Sequence, residues 1–385
     1  MIEKLRIGSW LILLFQTAFI AGPLTSQELS LGFSGYAKNL TIRSNSILTN
    51  NAFLLNVSRL RAKSILDFGS RNHTEIWLDT EVLAGDFLNT LEFELSEEAE
   101  RPTFVDLDWN LTKGNNYQAR QSLFRAFTTF YFGNAELTFG RQRIAWGTGF
   151  AWNPTDLFNP FNPATIELEE KRGVDAAYLA IPFGSLSRLE AAFAPGRKDL
   201  KGSAAVRLGS NLGSYDFSIM AGEFQKDRVI GGDFAGYIGG GGFRGEFAYT
   251  WKERDSNFFR AILNADYSFP HDFYAFIEFY FNGQGTTNKK DYPLFIDDLL
   301  SGRIFNLAKH YFAASVIKSV TPLLGLNIYS IFNLNDRSSL VGPALTYSLA
   351  TNLEIAASVY FLNGANDSEF GFQQTSYFAF LQYYF

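Results

Sequence analysis

From Ser30 onward the chain runs in stretches of roughly ten residues that alternate apolar and polar positions, each ended by a turn signal. Leu353, Ile355, Ala357, Val359 and Phe361 share one side of such a stretch, against Glu354, Ala356, Ser358 and Tyr360 on the other. The same division separates Phe273, Ala275, Ile277, Phe279 and Phe281 from Tyr274, Glu278, Tyr280 and Asn282, and Tyr215, Phe217, Ile219 and Ala221 from Asp216 and Ser218. A repeat of two marks an extended strand, whose successive side chains point to opposite faces. In a soluble sandwich the second face would meet water and carry many more Lys and Glu than these do. The apolar face therefore reads as the one that meets lipid.

Connections alternate in length as well. Short ones fall at 70–72, 133–134, 182–186, 210–213, 239–242, 270–272, 321–323 and 350–352. Longer ones fall at 44–51, 85–118, 146–172, 195–201, 225–228, 253–256, 283–309, 335–339 and 363–374. Short turns on one side of a membrane and longer loops on the other mark an outer-membrane barrel. The pattern predicts an all-β fold, a transmembrane antiparallel β-barrel of about 18 strands, with about 16 as the alternative if weak stretches such as 202–209 are not strands.

Alternation stops at 146–172, the third external loop on this count. It holds Trp146 and Trp152, three Asn-Pro steps beginning at Asn153, Asn159 and Asn162, and a charged run that includes Glu167, Glu169, Glu170 and Arg172. Each Pro removes a ladder donor and biases the residue before it away from helix. Apolar side chains at Phe150, Leu157, Phe158 and Phe161 argue against disorder. A long ordered loop between neighbouring strands lies across the barrel mouth or hangs outside it. We expect it inside, as a constriction whose Asp156, Glu167, Glu169 and Glu170 seek cationic partners.

Residues 1–26 have the three parts of a secretory signal: Lys4 and Arg6, an apolar stretch over 7–21, and Ser26 before Gln27. That leaves 27–385 as a single barrel domain. A chain without Cys has no disulfide framework and no thiolate metal site. A net charge of -6 argues against nucleic acid as a partner. The 40 Phe, 18 Tyr and 6 Trp suit rings gathered at a membrane boundary.

The chain closes on YFAFLQYYF, in which Leu381, Tyr383 and Phe385 share the outward face. This resembles the C-terminal signal by which bacterial outer-membrane barrels are recognised for assembly, and the resemblance implies the barrel-assembly machinery as a partner. The strand pattern begins too early for a plug domain. What remains resembles the general and substrate-selective porins of sixteen or eighteen strands, whose third external loop folds into the lumen. The motifs GRQRIAWG and WNPTDLFNP also look like the corresponding segment of porin-like barrels of poorly defined substrate.

Charged residues should fall on the lumen side, because Arg or Lys facing lipid at the midplane costs about 2–4 kcal/mol. Arg59, Arg61 and Lys63 share a face of the second strand, and Glu75, Asp79 and Glu81 share a face of the third. Paired across the strands, these ladders would neutralise one another and either pin register or set a transverse field. Arg141 and Arg143 follow Leu137 and Phe139 in phase, which would send them to lipid; either a bulge at Gly140, the preferred reading, turns both into the lumen beside the loop, or both lie above the bilayer in the headgroup zone, where the cost falls to about 0–1 kcal/mol.

Catalytic patterns are thin. The three His (His73, His271, His310) have no partnering Ser motif, and the acidic trio Asp291, Asp297 and Asp298 is weak as a cation site. No cofactor or metal is expected. The reading is an outer-membrane channel for passive diffusion of small hydrophilic solutes, in contact with outer-membrane lipid, with a homo-oligomer left open. Rings at Trp146, Trp152, Phe158 and Phe161 could stack on sugars or simply anchor the loop, and the basic ladder would suit anions. An export or surface-assembly barrel is the alternative function, and an outer-membrane enzyme stands behind both.

Overall fold

The structure, a computed structural model, describes residues 29–69, 71–98, 103–160, 163, 171–197, 201–253, 256–292 and 306–385. The signal-like stretch 1–26 lies outside them. The strands are β1 (Leu29–Asn45), β2 (Ala52–Phe68), β3 (Asn72–Ala84), β4 (Asp108–Lys113), β5 (Tyr117–Phe132), β6 (Ala135–Gln142), β7 (Val174–Phe183), β8 (Ser187–Ala194), β9 (Ser203–Leu212) and β10 (Tyr215–Phe224). They continue as β11 (Asp227–Ile238), β12 (Gly241–Trp251), β13 (Phe258–Phe269), β14 (Phe273–Asn282), β15 (His310–Thr321), β16 (Leu324–Asn333), β17 (Ser339–Ala350), β18 (Leu353–Asn363) and β19 (Ser376–Tyr384). Each pairs antiparallel with its neighbours, and β19 returns to β1 from Tyr36↔Tyr384 to Arg43↔Tyr377, which closes the sheet. The wall is an 18-stranded barrel.

The nineteenth strand, β4, is the surprise. The edge of β5 that pairs with β6 over Ala126 to Phe132 pairs with β4 over Gln118 to Ser122. A wall position is thus shared end to end by two strands from different parts of the chain. The segment 85–118, read above as a plain loop, contains both β4 and a helix, α1 (Leu91–Glu98). Thr90 starts that helix: its hydroxyl accepts from the Phe93 amide at 3.3 Å, while Glu92 and Glu94 sit in the first turn, where the helix dipole favours negative charge. Its Phe93 is buried with Leu55 and Leu83 of β2 and β3. Conversely, the long connection expected at 225–228 is a two-residue turn between β10 and β11.

Faces follow the alternation. Leu60, Phe217, Ile219, Ile277, Leu345 and Leu381 stand exposed on the outside, whereas Glu246, Asn264 and Glu278 are buried on the inside. This inverts a soluble protein and matches a wall whose solvent outside is lipid. At the closing seam Gly35 donates to the Phe385 carbonyl at 2.9 Å and accepts from its amide at 3.1 Å. A Cβ on Gly35 would sit 2.8 Å from the Phe385 ring, so glycine is what lets that ring lie across the seam.

Candidate functional site: the inner wall and the third external loop

After Gln142 the chain leaves the wall and runs along the inner faces of the far strands. Ile144, Trp146 and Phe158 are buried against Ala176, Ala192, Ala205 and Ala248 of β7, β8, β9 and β12, where small side chains leave room for them. Trp152 stacks on Tyr280 of β14 at 5.0 Å and meets Tyr311 of β15 at 5.7 Å. Two wall carboxylates then hold the segment. Glu278 accepts the amides of Phe150, Ala151 and Trp152 at 2.7, 3.1 and 2.8 Å, and also Asn264 at 3.0 Å. Glu246 accepts the amides of Thr148 and Thr155 at 2.9 and 2.5 Å and the Thr155 hydroxyl at 2.8 Å. A buried hydrogen bond to a charged group contributes about 1.5–3 kcal/mol, and these amides have no ladder partner of their own.

The asparagines of the Asn-Pro steps brace the loop internally. Asn153 accepts from the Gly149 amide at 2.9 Å, and Asn159 accepts from the Ile144 amide at 2.9 Å while donating to the Arg172 carbonyl at 2.8 Å. Asp156 is buried and paired with Lys171 at 2.5 Å; burial pushes its carboxyl up to about 6, against the pull of Lys171. Arg172 reaches Asp108 of β4 at 2.5 Å. Phe161, Asn162, Glu167, Glu169 and Glu170 lie outside the described residues, as do Asp297 and Asp298. Trp146, Trp152 and Phe158 are only 4%, 5% and 7% exposed, so of the two roles weighed for them the packing one fits and solute stacking does not.

On the opposite wall the two charge ladders meet. Register sets Arg59 against Glu81 and Arg61 against Asp79. Arg61 makes a two-pronged pair with Asp79, both contacts at 2.6 Å, and its guanidinium lies 3.7 Å from the Phe124 ring centre. Arg59 and Arg120 share Glu81, each at 2.6 Å. Lys63 faces Trp77, not Glu75, with its ammonium 4.0 Å from the ring. Glu75 instead accepts from the Trp77 indole at 2.8 Å and contacts His73, whose other nitrogen contacts Asp67.

The expectation for Arg141 is corrected. Pairing runs through Gly140 to both neighbours without a shift, so no bulge resets the phase there and Arg141 keeps the face of Phe139. Its partner is Asp175 of β7, at 2.8 and 3.0 Å, rather than an acid of the loop. The carbonyls of Leu123 and Val105 accept its remaining donors at 3.1 and 2.6 Å. The cost of an outward arginine is avoided because residues of the second loop cap the end of β6 just below β4, leaving Arg141 1% exposed. The bulge sits across the pair instead, at Phe124 of β5, where pairing with β3 skips a residue between Trp77 and Leu78. Arg143 is exposed where the chain turns inward.

Sequence reading missed Glu246 and Glu278 as clamps, and Phe124 and Arg125 as wall residues. A lone Glu in the aromatic run FYAFIEFYF was a usable signal for Glu278, since inner phase and strongly apolar neighbours imply a buried partner. Phe124 and Arg125 gave none, because the bulge breaks the alternation at that point.

No family model matches the chain, and no curated protein matches it in sequence. Solved structures do. The chain is similar to OccK5 (OpdH) of Pseudomonas aeruginosa, with a TM-score of 0.61 and 10% identity over 92% of this chain and 98% of that one. It is similar to OprD of the same organism at 0.58 and 11%, over 92% and 94%. It is also similar to OccAB1 of Acinetobacter baumannii at 0.53 and 9%, over 93% and 96%. The chain has the fold of these barrels, one of which, OprD, is an outer membrane protein.

Proposed function

We propose that the protein is a channel in the bacterial outer membrane for passive diffusion of small hydrophilic solutes, its bore narrowed by the third external loop. The observation that carries this reading is the clamp: five backbone amides between Thr148 and Thr155 bound to Glu246 and Glu278, residues of the inner wall. A loop meant only for the cell surface has no reason to bury carboxylates halfway down a wall, where each costs several kcal/mol unless bonded. Lipid surrounds the apolar outer face, and Phe385 at the seam supports entry through the barrel-assembly machinery. An export or surface-assembly barrel would need a bore open to a polymer, which a clamped loop opposes. Nothing at His73 supports an enzyme, since its ring nitrogens are taken up by Asp67 and Glu75.

The test is single-channel recording in planar bilayers. Wild-type protein conducts, and deletion of 153–163 raises the conductance several-fold while heat-modifiable migration persists. A folded, inserted deletion variant with unchanged conductance would place the loop outside the conducting path.

A further inference from the structure

The inner faces of β15 to β18 differ in kind from the rest of the wall. Register puts Ser315, Asn327, Tyr329, Gly342, Ser358 and Tyr360 on them, and the one charged residue among all their inward positions is Glu354, near the short-turn end. Beneath the clamped loop a line of half-buried rings crosses this neutral surface. Phe276 of β14 stacks on Phe150 of the loop at 4.5 Å, and Tyr329 follows at 6.5 Å. Tyr360 lies flat on the wall, because a Cβ at Gly342 would stand 2.6 Å from its ring. Phe378 of β19 meets Tyr360 edge to face at 4.7 Å.

Polar groups edge the line. Asn327 is exposed and its amide is held by the Ser315 hydroxyl at 2.9 Å. Gln382, on the inward phase of β19 with Phe378, is 2% exposed, and its Oε1 has no partner among the described residues. A buried acceptor left unpaired calls for a donor from water or solute.

From this arrangement we infer that Tyr329, Tyr360 and Phe378 form a stacking subsite for an uncharged, hydroxylated ring, a saccharide. Aromatic faces offer a surface to the C–H face of a pyranose, and the edging amides match its hydroxyl groups. Register sets no charged residue against Tyr329, Tyr360 or Phe378, so a charged solute stacked on them gains little for the hydration it loses; the inward charges Lys38 and Glu354 stand beside Gln382. The inference rests on the channel reading and deepens it, and the two fail separately.

The experiment is current recording with a glucose trisaccharide as the probe. Wild-type channels carry potassium chloride current that the trisaccharide interrupts. Residence times shorten about fivefold in Tyr360→Ala and Phe378→Ala and stay near wild type in Tyr360→Phe, which keeps the ring. Normal salt current with no interruption by trisaccharide overturns the subsite and leaves the channel reading intact. Equal residence times with and without the rings overturn it too. Interruption by benzyl alcohol but not by trisaccharide overturns the saccharide assignment in favour of aryl rings. Absence of salt current in inserted wild-type protein removes the channel reading and the subsite with it. Should the alanine variants fail to insert, Tyr360→Leu and Phe378→Leu, which keep apolar bulk and remove the ring, decide by the same residence times: shortened times support the subsite, and unchanged times overturn it.

Discussion

The wall that joins β2, β3 and β5 and the wall that joins β15 to β18 face the same bore and are built on opposite plans. In the first, most inward positions from Arg59 to Glu81 are charged, and strand register sets Arg59 against Glu81 and Arg61 against Asp79. In the second, inward positions are rings, hydroxyls, amides and aliphatic side chains such as Ile331 and Leu340, with Glu354 the one charge. The difference teaches where each side gets its rigidity. Charges in a poorly hydrated wall must be paired, so their positions are fixed by one another and little freedom is left for solutes. Rings hold their places by packing and still leave a face open.

The largest expected effect lies in the charged wall. Arg61 and Asp79 are 1% and 3% exposed, and replacing Arg61 by Ala strands a buried carboxylate. A loss of about 3–5 kcal/mol follows, read as a shift in the urea midpoint of the protein in detergent micelles. The double variant Arg61→Met with Asp79→Leu recovers most of it, since neither charge is left alone. Tyr360→Phe, across the bore, shifts the midpoint little. A loss under about 1 kcal/mol for Arg61→Ala would mean that the pair is solvated, and the contrast between the walls would fall.

Next comes the clamp that divides the two walls. Glu278→Ala leaves the amides of Phe150, Ala151 and Trp152 without their acceptor, at about 1–3 kcal/mol for each group that water does not rescue. The expected result is a noisier channel of higher mean conductance, short of the full increase caused by deleting 153–163, because Glu246 still holds Thr148 and Thr155. Recordings identical to wild type would shift the restraint to the packing of Trp146 and Trp152.

How much of this was readable beforehand differs between the same regions. The barrel and its strand number came from alternation and turn spacing, because lipid outside and water inside force a period of two on every wall strand. The Arg59 to Glu81 ladder was readable for the same reason, since two regular strands joined by a tight turn have their register set. Arg141 was not. Its environment depends on β4, a strand from a loop far earlier in the chain, and local phase cannot report what a distant segment covers. Cross-strand pairing was readable as a ladder but not residue by residue, and the register places Trp77 opposite Lys63. The neutral arc was invisible as a site because serines, glycines and tyrosines on four strands carry no motif until strand pairing lines them up.

The smallest effect should come from the mouth above the neutral wall, at Glu369 in the segment 364–375. This carboxylate accepts from the Tyr311 hydroxyl at 2.6 Å, Asn333 at 2.7 Å and the Leu307 amide at 3.1 Å, while its own amide donates to Asp336 at 2.8 Å. Burial pushes the Glu369 carboxyl up to about 7, well above the usual carboxylate range; the bonds from Tyr311, Leu307 and Asn333 pull it down and the nearby Asp336 charge adds to the rise. A pKa raised in the folded state means that the protonated form is the one the fold favours. Its contribution is therefore complete below the ordinary carboxylate range, near about 4.3, and is lost as the pH climbs through about 7. Loosening of 364–375 should follow the same course, so limited proteolysis within that segment is slower at pH 6 than at pH 8. Glu369→Gln, which keeps the shape and cannot ionise, should cut at one rate across this range. Equal rates for wild type at both pH values would show that Glu369 keeps one charge state throughout, and the segment would then be held by Ser338 and Ser368, which bond Phe370 and Gly371, rather than by the carboxylate.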